Sequence, residues 1–388
     1  MKRYSSKVKS SRRRGVTAVF VVVMMTVLLG FAALTVDLGM LYNVRGDMQR
    51  TADSAALASA NALMNEDRLR GSSALYGVIA DSRTTASEYA ARNSVYGVVT
   101  PALVSGDVGI GYLRDPGSTT EALDTGDSTR FNAVSVRVRR DETCNSPVQL
   151  LFARVFGIEE TPMFADATAA FMDGVTGFRH PGNGNNPGIL PFALRVSSWQ
   201  NLLSQAVTMG DNYAYDPQTE TVSPGSDGIL ELNLYPGGGS GQLPPGNFGT
   251  VDIGSPGNSA ADLARQIREG VSEDDLSFFG GTLELDSDGT LSLNGDTGLS
   301  AGVKDDLESI KGKPRTIPLF STVAGPGNNS MFTVVGFAGI RIMNVKLTGS
   351  MSSKNVIIQP AFVLDDTVIT GPATGLSYFI YEPVRLVR

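Results

Sequence analysis

The run Gly298-Leu299-Ser300-Ala301-Gly302 has the G-x-S-x-G form of a hydrolase nucleophile elbow and stands just before a helical pattern. In that chemistry a histidine that follows the serine takes its proton, but the one histidine, His180, lies far upstream. Lys304 is the remaining candidate for the base. Because glycine and serine at a helix start are explained by N-capping, we interpret Ser300 as a cap. The sequence predicts no enzyme and no catalytic residue.

Oxygen-bearing side chains surround a predicted hairpin turn and could attract a hard cation: Asp286, Asp288, Asn294 and Asp296. The EF-hand spacing with its terminal glutamate is absent, and turn chemistry also accounts for these residues. With one histidine and one cysteine, Cys144, a transition-metal site of the usual ligand types is nearly excluded. We predict no cofactor and no metal, with calcium near Asp286 and Asp288 as the open alternative.

The first structural element along the chain is an uncharged apolar run from Val16 to Val36. A helix of this length is roughly 30 Å long at about 1.5 Å per residue, which matches the hydrocarbon thickness of a bilayer. A cleaved signal peptide with an exit at Gly30-Phe31-Ala32 is the alternative, but its apolar core is usually about 7 to 15 residues long. We therefore predict a transmembrane helix over residues 16–36, marked by Val16, Phe20, Leu28, Leu29, Phe31 and Val36.

The leader, residues 1–15, holds seven cations and no acid, and Arg12, Arg13 and Arg14 stand next to the span. Because positive charge stays on the cytoplasmic side, the N-terminus is predicted to be cytoplasmic and the rest exported. The whole chain carries a net charge of −7, so about −14 remains beyond the leader. This acidic balance argues against nucleic acid as a partner, whereas the leader suits anionic lipid head groups.

A helical pattern continues from Asp37 to about Met64 without a proline. Small side chains line one face of this stretch and would let another helix approach closely. We interpret the stretch as a stalk built for lateral assembly, as a homo- or hetero-oligomer, through packing at Ala52, Ala55, Ala56 and Ser59.

Shorter patterns after the stalk predict a small α+β module that ends at residue 172. They comprise a helix from Thr84 to about Ser94 and an alternating strand from Ala133 to Val138. The apolar stretch Pro147 to Gly157 is helix-compatible, with a predicted core side formed by Leu150, Leu151, Phe152, Val155 and Phe156.

A tract rich in Gly, Asn and Pro, residues 173–188, is predicted to link this module to a β-rich α+β domain over 189–388. Amphipathic helices are expected after Ser259 and after Ser300. Strands are expected near 189–196, 229–235, 281–285, 290–293, 315–323, 331–348, 355–363 and 378–386. The fold class is therefore α+β, with a transmembrane helix that continues into an Ala-rich stalk.

The N-terminal region resembles TadE/TadG-like pilus-assembly proteins of the tight-adherence (Flp) system. The likeness rests on Arg13-Arg14-Gly15 before the span, on the run from Val36 to Tyr42 (VDLGMLY) and on the run from Gln49 to Ala58 (QRTADSAALA). It continues through Tyr89-Ala90-Ala91-Arg92-Asn93 and Leu151-Phe152-Ala153-Arg154-Val155-Phe156-Gly157, and so covers roughly the first 170 residues. The resemblance implies a bitopic protein of the bacterial inner membrane with its bulk in the periplasm.

Two departures from related chains limit what the resemblance implies. Pseudopilin-like members are cut after a glycine and carry a glutamate five residues later; Gly15 would be the processing site here, but Phe20 occupies the glutamate position. Other TadG-like chains carry a metal-binding Asp-x-Ser-x-Ser pentad. The nearest approach, Asp275 to Phe279, lacks the second serine, so metal-dependent adhesion of that kind is not expected.

The predicted function is a non-enzymatic, membrane-anchored component of a Flp/Tad-type pilus assembly or secretion apparatus. Its partners would be the lipid bilayer and other pilus-assembly membrane subunits. The alternative is a surface adhesin or ligand-binding envelope protein that uses a pilus-type anchor, with residues 189–388 as the binding part.

Overall fold

The computed structural model describes residues 14–99, 101–118, 120–182, 184–205, 210–236, 243, 249–254, 259–296, 301–326, 329–371 and 376–388. Several residues singled out above lie outside this part of the chain: Arg12, Arg13, Gly298, Leu299 and Ser300.

Long helices precede the strand-rich part of the chain, which confirms the α+β class. The α-helices in the described ranges are α1 (Arg14–Leu63), α2 (Ser72–Arg92), α3 (Val196–Leu203), α4 (Ala260–Glu269), α5 (Glu273–Ser277) and α6 (Lys304–Ser309). The predicted span and stalk form one continuous helix, α1, of 50 residues. The helix predicted after Ser259 is confirmed, because the Ser259 hydroxyl accepts from the backbone N–H of Asp262 and starts α4.

Short strands follow, with longer ones near the C-terminus. They are β1 (Val108–Gly111), β2 (Ala133–Arg140), β3 (Val148–Gln149), β4 (Glu160–Thr161), β5 (Met163–Ala170), β6 (Val175–Arg179), β7 (Leu194–Arg195), β8 (Tyr213–Asp216), β9 (Thr221–Pro224), β10 (Leu232–Tyr235), β11 (Val251–Asp252), β12 (Thr282–Glu284), β13 (Leu291–Gly295), β14 (Pro314–Ala324), β15 (Met331–Lys346), β16 (Asn355–Pro360), β17 (Val363–Leu364), β18 (Val368–Thr370), β19 (Ser377–Tyr378), β20 (Ile380–Tyr381) and β21 (Arg385–Leu386).

The strands pair into several sheets, the largest of which is built around β15. The largest has the order β10-β16-β15-β13-β11, with β14 and β19 also on β15 and β7 on β14. In its antiparallel centre Ile317 lies opposite Ala338, and Ile342 lies opposite Ile358. Other sheets have the orders β1-β2-β5-β21 and β12-β6-β18, and the pairs β3-β4, β8-β9 and β17-β20 complete the topology.

The core of the C-terminal region lies against this large sheet. One buried cluster gathers Trp199, Leu263 and Leu307 from α3, α4 and α6 with apolar residues of β14, β15 and β16. A second cluster includes Phe320 and Phe332, whose rings meet edge to face with centroids 4.9 Å apart. Apolar residues of the strands and of the helices that cover the sheet therefore form this core together.

By its internal contacts the chain divides into two compact units. The first unit comprises Met1–Ala55, Ser87–Val108 and Val136–Ala167, and the second comprises Ala56–Ala86, Gly109–Ser135 and Thr168–Arg388. Each is treated by itself below.

At several places the structure differs from the sequence expectation. The helix predicted from Thr84 begins at Ser72. The stretch predicted as a linker, residues 173–188, begins with strand β6, because Val175 and Phe178 are buried between β12 and β18.

The third difference lies in the stretch from Pro147 to Gly157, whose predicted helix with a buried apolar side is wrong. Strand β3 and a 3₁₀ turn, Ala153–Phe156, take its place. Leu150 is buried, but the other predicted core residues are exposed: Leu151, Phe152, Val155 and Phe156.

Candidate membrane anchor

The N-terminal part of α1 presents apolar side chains on every face. From Val19 to Val36 its large apolar side chains are exposed, among them Phe20, Leu28, Leu29, Phe31 and Val36. Val16 lies in the helix, but its side chain is outside the described part. Within the described residues, α1 is the one helix that is both long enough and apolar enough to cross a membrane.

Two threonines inside the apolar run, Thr26 and Thr35, are satisfied within the helix itself. Thr26 Oγ1 donates to Val22 O at 2.9 Å, and Thr35 Oγ1 donates to Phe31 O at 2.8 Å. Because each hydroxyl bonds one turn back, neither needs water or another partner. The run therefore suits a hydrocarbon environment at both of these positions.

A buried carboxylate marks the end of this run. Asp37 is only 2 % exposed. Its oxygens accept three backbone N–H bonds from one loop: Leu151 N at 2.9 Å, Phe152 N at 3.0 Å and Ala153 N at 2.7 Å. These hydrogen bonds connect α1, at the residue directly after the apolar run, to a segment that is more than a hundred residues away in the sequence.

The hydrogen bonds favour the charged form of Asp37. Desolvation raises the pKa of this carboxyl, but the N–H donors of Ala153, Leu151 and Phe152, together with the positive charge of Arg154, lower it, and the net pKa lies below the ordinary value of 3.8. Asp37 is therefore ionised near neutral pH and accepts charge-assisted hydrogen bonds.

The loop held by Asp37 exposes large apolar side chains. We call residues 151–158 the apolar loop; Val155 is 84 % and Phe156 is 74 % exposed. Gly157 ends its 3₁₀ turn with φ +81°, a conformation that side-chain-bearing residues rarely adopt. Exposure here reflects a fixed backbone shape, since Asp37 and the turn both constrain the loop.

Polar contacts connect the rest of the first unit to α1 further along the helix. Gln49 Nε2 donates to Asp53 Oδ1 at 2.8 Å and to Asp166 O at 3.0 Å. Arg137 Nε donates to Asp166 Oδ1 at 2.7 Å. The backbone N–H of Tyr96 faces Asp47 Oδ2 at 3.4 Å. The helix is therefore bound to the folded chain at several successive turns.

The small-residue face of the stalk is already covered within the chain. Ala52, Ala55, Ala56 and Ser59 are fully buried. Ser59 Oγ donates to Ser82 O at 2.7 Å, and Ser82 Oγ donates to Ser59 O at 2.9 Å, so α1 and α2 approach closely here. Contacts to other subunits must therefore use side chains other than these, unless α1 and α2 separate.

A cleft of about 380 Å³, lined by both polar and apolar side chains, lies in the second unit. On its wall the guanidinium of Arg341 binds both oxygens of Glu66 at 2.9 and 3.0 Å and donates to Gly312 O at 2.6 Å. The guanidinium also lies 3.6 Å from the ring centre of Tyr215. Each nitrogen of the Arg341 guanidinium thus has a partner within the chain, so this part of the cleft wall is internally paired.

The remaining predicted candidates do not converge on one another. Asp288 Oδ1 accepts from Thr290 N at 3.0 Å in a turn, but the predicted hairpin is wrong, because the flanking strands β12 and β13 belong to different sheets. His180 Nδ1 accepts from Gly182 N, 4.0 Å from the Glu273 carboxylate. Cys144 is buried. Within the described ranges no group of three His, Cys, Asp or Glu side chains is placed to hold a metal ion.

The sequence interpretation missed Asp37 and the pair of Glu66 with Arg341. Asp37 had a local signal, because it is the first acid after a long uncharged apolar run. Glu66 and Arg341 had none, since 275 residues separate them.

Two family models match the N-terminal region. The model of Flp pilus-assembly TadE/G-like proteins matches residues 15–62, and the model of Tad-like Flp pilus-assembly proteins matches residues 44–169. No curated protein and no solved structure matches the chain. The predicted Tad-like N-terminal region is confirmed, and its matches support a Flp/Tad pilus-associated role for the chain. The matched residues include the apolar run of α1, Asp37 and the apolar loop.

Proposed function

We propose that this chain is a non-enzymatic, single-pass component of a Flp/Tad-type pilus assembly or secretion apparatus. Helix α1 anchors it in the bacterial inner membrane over residues 16–36, with Arg12, Arg13 and Arg14 on the cytoplasmic side. The remainder is periplasmic and contacts other membrane subunits of the apparatus. Gly15 is kept as an uncut residue at the membrane edge.

The observation that carries this proposal is the coincidence of the family matches with one continuous structural feature. The matched residues 15–169 contain the exposed apolar run and the loop that Asp37 binds at its end. Large apolar side chains exposed on every face of a helix are unfavourable in water and favourable in lipid. A membrane anchor joined to a folded periplasmic region fits both facts.

The test is deletion of the gene, followed by electron microscopy of surface filaments and by an attachment assay. We expect filaments to disappear and to return when the full chain is supplied. A chain carrying Leu28→Asp and Leu29→Asp should fail to restore them, because two carboxylates at the centre of the span oppose insertion. Phe278→Asp, an exposed position in the second unit, is the matched control and should restore filaments.

Intact filaments in the deletion strain would contradict the proposal. If attachment alone is lost, the protein acts as an adhesin on a pilus-type anchor. Mass spectrometry of the N-terminus of the purified protein tests whether the chain is processed. A chain that begins at Val16 would indicate cleavage after Gly15. A chain that begins beyond residue 30 would indicate that a signal peptide has been removed.

A further inference from the structure

We propose that the apolar loop, residues 151–158, inserts its side chains into the periplasmic leaflet of the same membrane and forms a second lipid contact beside the anchor helix. This inference rests on the proposed anchoring of α1. The partner that the exposed side chains of the loop contact is therefore the lipid surface.

The position of the loop follows from its hydrogen bonds to Asp37. Asp37 comes one residue after the apolar run, so it lies where the helix leaves the hydrocarbon. The N–H groups of Leu151, Phe152 and Ala153 lie within 3.0 Å of its carboxylate. The loop backbone is thereby held at the level of the lipid head groups, continuous with the membrane contact of α1.

The side chains of the loop suit that level. Apolar and aromatic groups are exposed along it, at Leu151, Phe152, Val155, Phe156 and Ile158. Interfacial segments bury such groups about 5–10 Å deep at the boundary between head groups and acyl chains. Arg154, also exposed, can reach lipid phosphates with its guanidinium while its aliphatic stem follows the apolar surface.

The backbone of the loop is also prepared for a region with little water. Asp37 accepts the N–H groups of residues 151–153. The backbone itself pairs Leu150 N with Glu159 O at 2.9 Å, Val155 N with Phe152 O at 3.1 Å, Gly157 N with Arg154 O at 3.0 Å and Ile158 N with Ala153 O at 3.2 Å. Because unpaired N–H groups are costly in lipid, internal pairing distinguishes this loop from an ordinary exposed turn.

A fluorescent label on single cysteines tests the inference in the full chain. Val155→Cys and Ile158→Cys are each made in a Cys144→Ser background, labelled with an environment-sensitive dye and reconstituted in liposomes of neutral and anionic phospholipid. Some liposomes contain phospholipid with a nitroxide on a shallow acyl carbon. We expect blue-shifted emission and roughly twofold or stronger quenching by the nitroxide lipid at both positions.

Glu142→Cys is the matched control in the same unit. Glu142 is exposed in the turn after Arg140, which donates to Tyr96 O, and Tyr96 N faces Asp47. Asp47 lies ten residues beyond Asp37, about 15 Å further along the helix axis. A label there should show water-like emission and no added quenching by the nitroxide lipid.

Flotation of the same liposomes after carbonate treatment separates this inference from the anchoring on which it depends. If the protein floats with lipid but labels at 155 and 158 emit as in water, the loop does not enter the membrane and the anchor stands. Blue-shifted emission without nitroxide quenching would place the loop against protein and also overturn the inference. Loss of the protein from the floated fraction would overturn the anchoring itself, and the lipid contact of the loop with it.

Discussion

Asp37 combines burial, charge and three backbone donors at the boundary between the apolar run and the folded chain. A neutral side chain of similar size would keep the packing but lose the charge-assisted part of each hydrogen bond. The three N–H groups belong to consecutive residues, so one carboxylate fixes the direction in which the apolar loop leaves. We expect the shape of this loop to depend on that single charge.

Asp37→Asn should therefore loosen the apolar loop without unfolding the protein. The amide of asparagine offers one acceptor oxygen in place of two, so at least one of the N–H groups at 151–153 loses its partner. We expect exchange at these amides to accelerate by on the order of tenfold, measured by hydrogen–deuterium exchange in detergent. Asp81→Asn, at an exposed position of α2, is the control and should leave the exchange unchanged.

The same carboxylate predicts a pH dependence with a definite sign. Because its pKa is lowered in the folded state, Asp37 contributes stability that is fully present above the ordinary pKa of 3.8 and is lost as the pH falls through the lowered value. The difference in urea midpoint between the natural chain and Asp37→Asn should stay constant from pH 7 to about 5 and shrink below 3.8. A difference that grows on acidification would contradict this.

Helices α1 and α2 pack against each other through small residues, so the small-residue face of α1 has its partner within the chain. A larger side chain on the buried face must displace α2, whereas one on a half-buried face has room to turn away. Ala56 and Ala58 sample these two faces of α1 only two residues apart.

Ala56→Leu should destabilise the second unit by roughly 1–3 kcal/mol because it overpacks a site with no exposed surface. Ala58→Leu, on the half-buried face, should cost less than about 1 kcal/mol. Urea unfolding of the detergent-solubilised protein measures both changes. Equal stability of the two variants would show that the face at Ala56 is free to serve another subunit.

The local sequence pattern predicts much of this fold. The strands expected near 315–323, 331–348 and 355–363 correspond to β14, β15 and β16, each of which contains a long run of buried residues, as continuous apolar stretches predict. The apolar loop could not be predicted in the same way. A cluster such as Leu151, Phe152, Val155 and Phe156 has the same composition whether it faces a protein core or the surroundings. The partner that decides between these, Asp37, is 114 residues away from Leu151.

At the scale of the whole molecule, stability of the C-terminal region depends on contacts that join distant parts of the sequence. Glu66 follows α1 and binds Arg341 of β15, and its Oε1 also accepts from Phe362 N at 3.0 Å. Arg341 has almost no exposed surface. Removing its counter-charge therefore leaves a desolvated cation, which costs more than the loss of a surface ion pair.

Glu66→Gln should destabilise the second unit by about 2–3 kcal/mol, somewhat below the usual cost of breaking a buried pair because Glu66 is partly exposed. Asp67→Asn is the matched control, since Asp67 pairs with Arg70 at the surface, and it should cost less than about 1 kcal/mol. Chemical denaturation measures both. Similar losses for the two variants would indicate that Arg341 is stabilised by Tyr215 and Gly312 alone.

Topology is the other property of the whole molecule, and the leader should control it. Replacing Arg12, Arg13 and Arg14 with glutamate removes the positive flank of the span, so a fraction of the chains should insert in the opposite direction. Protease added from the periplasmic side measures the change as loss of digestion of the C-terminal bulk. The corresponding lysine variant keeps the charge and should behave as the natural chain. Unaltered digestion of the glutamate variant would contradict control by these arginines.

Helix α1 continues without interruption from the apolar run to Leu63, over 50 residues and about 75 Å. A rod of this kind resists stretching, because lengthening it requires breaking backbone hydrogen bonds one turn at a time. A pull on one end is therefore delivered to the other almost undiminished. On the proposed anchoring, a pull on the far end of α1 would be transferred along this one helix directly to its membrane end.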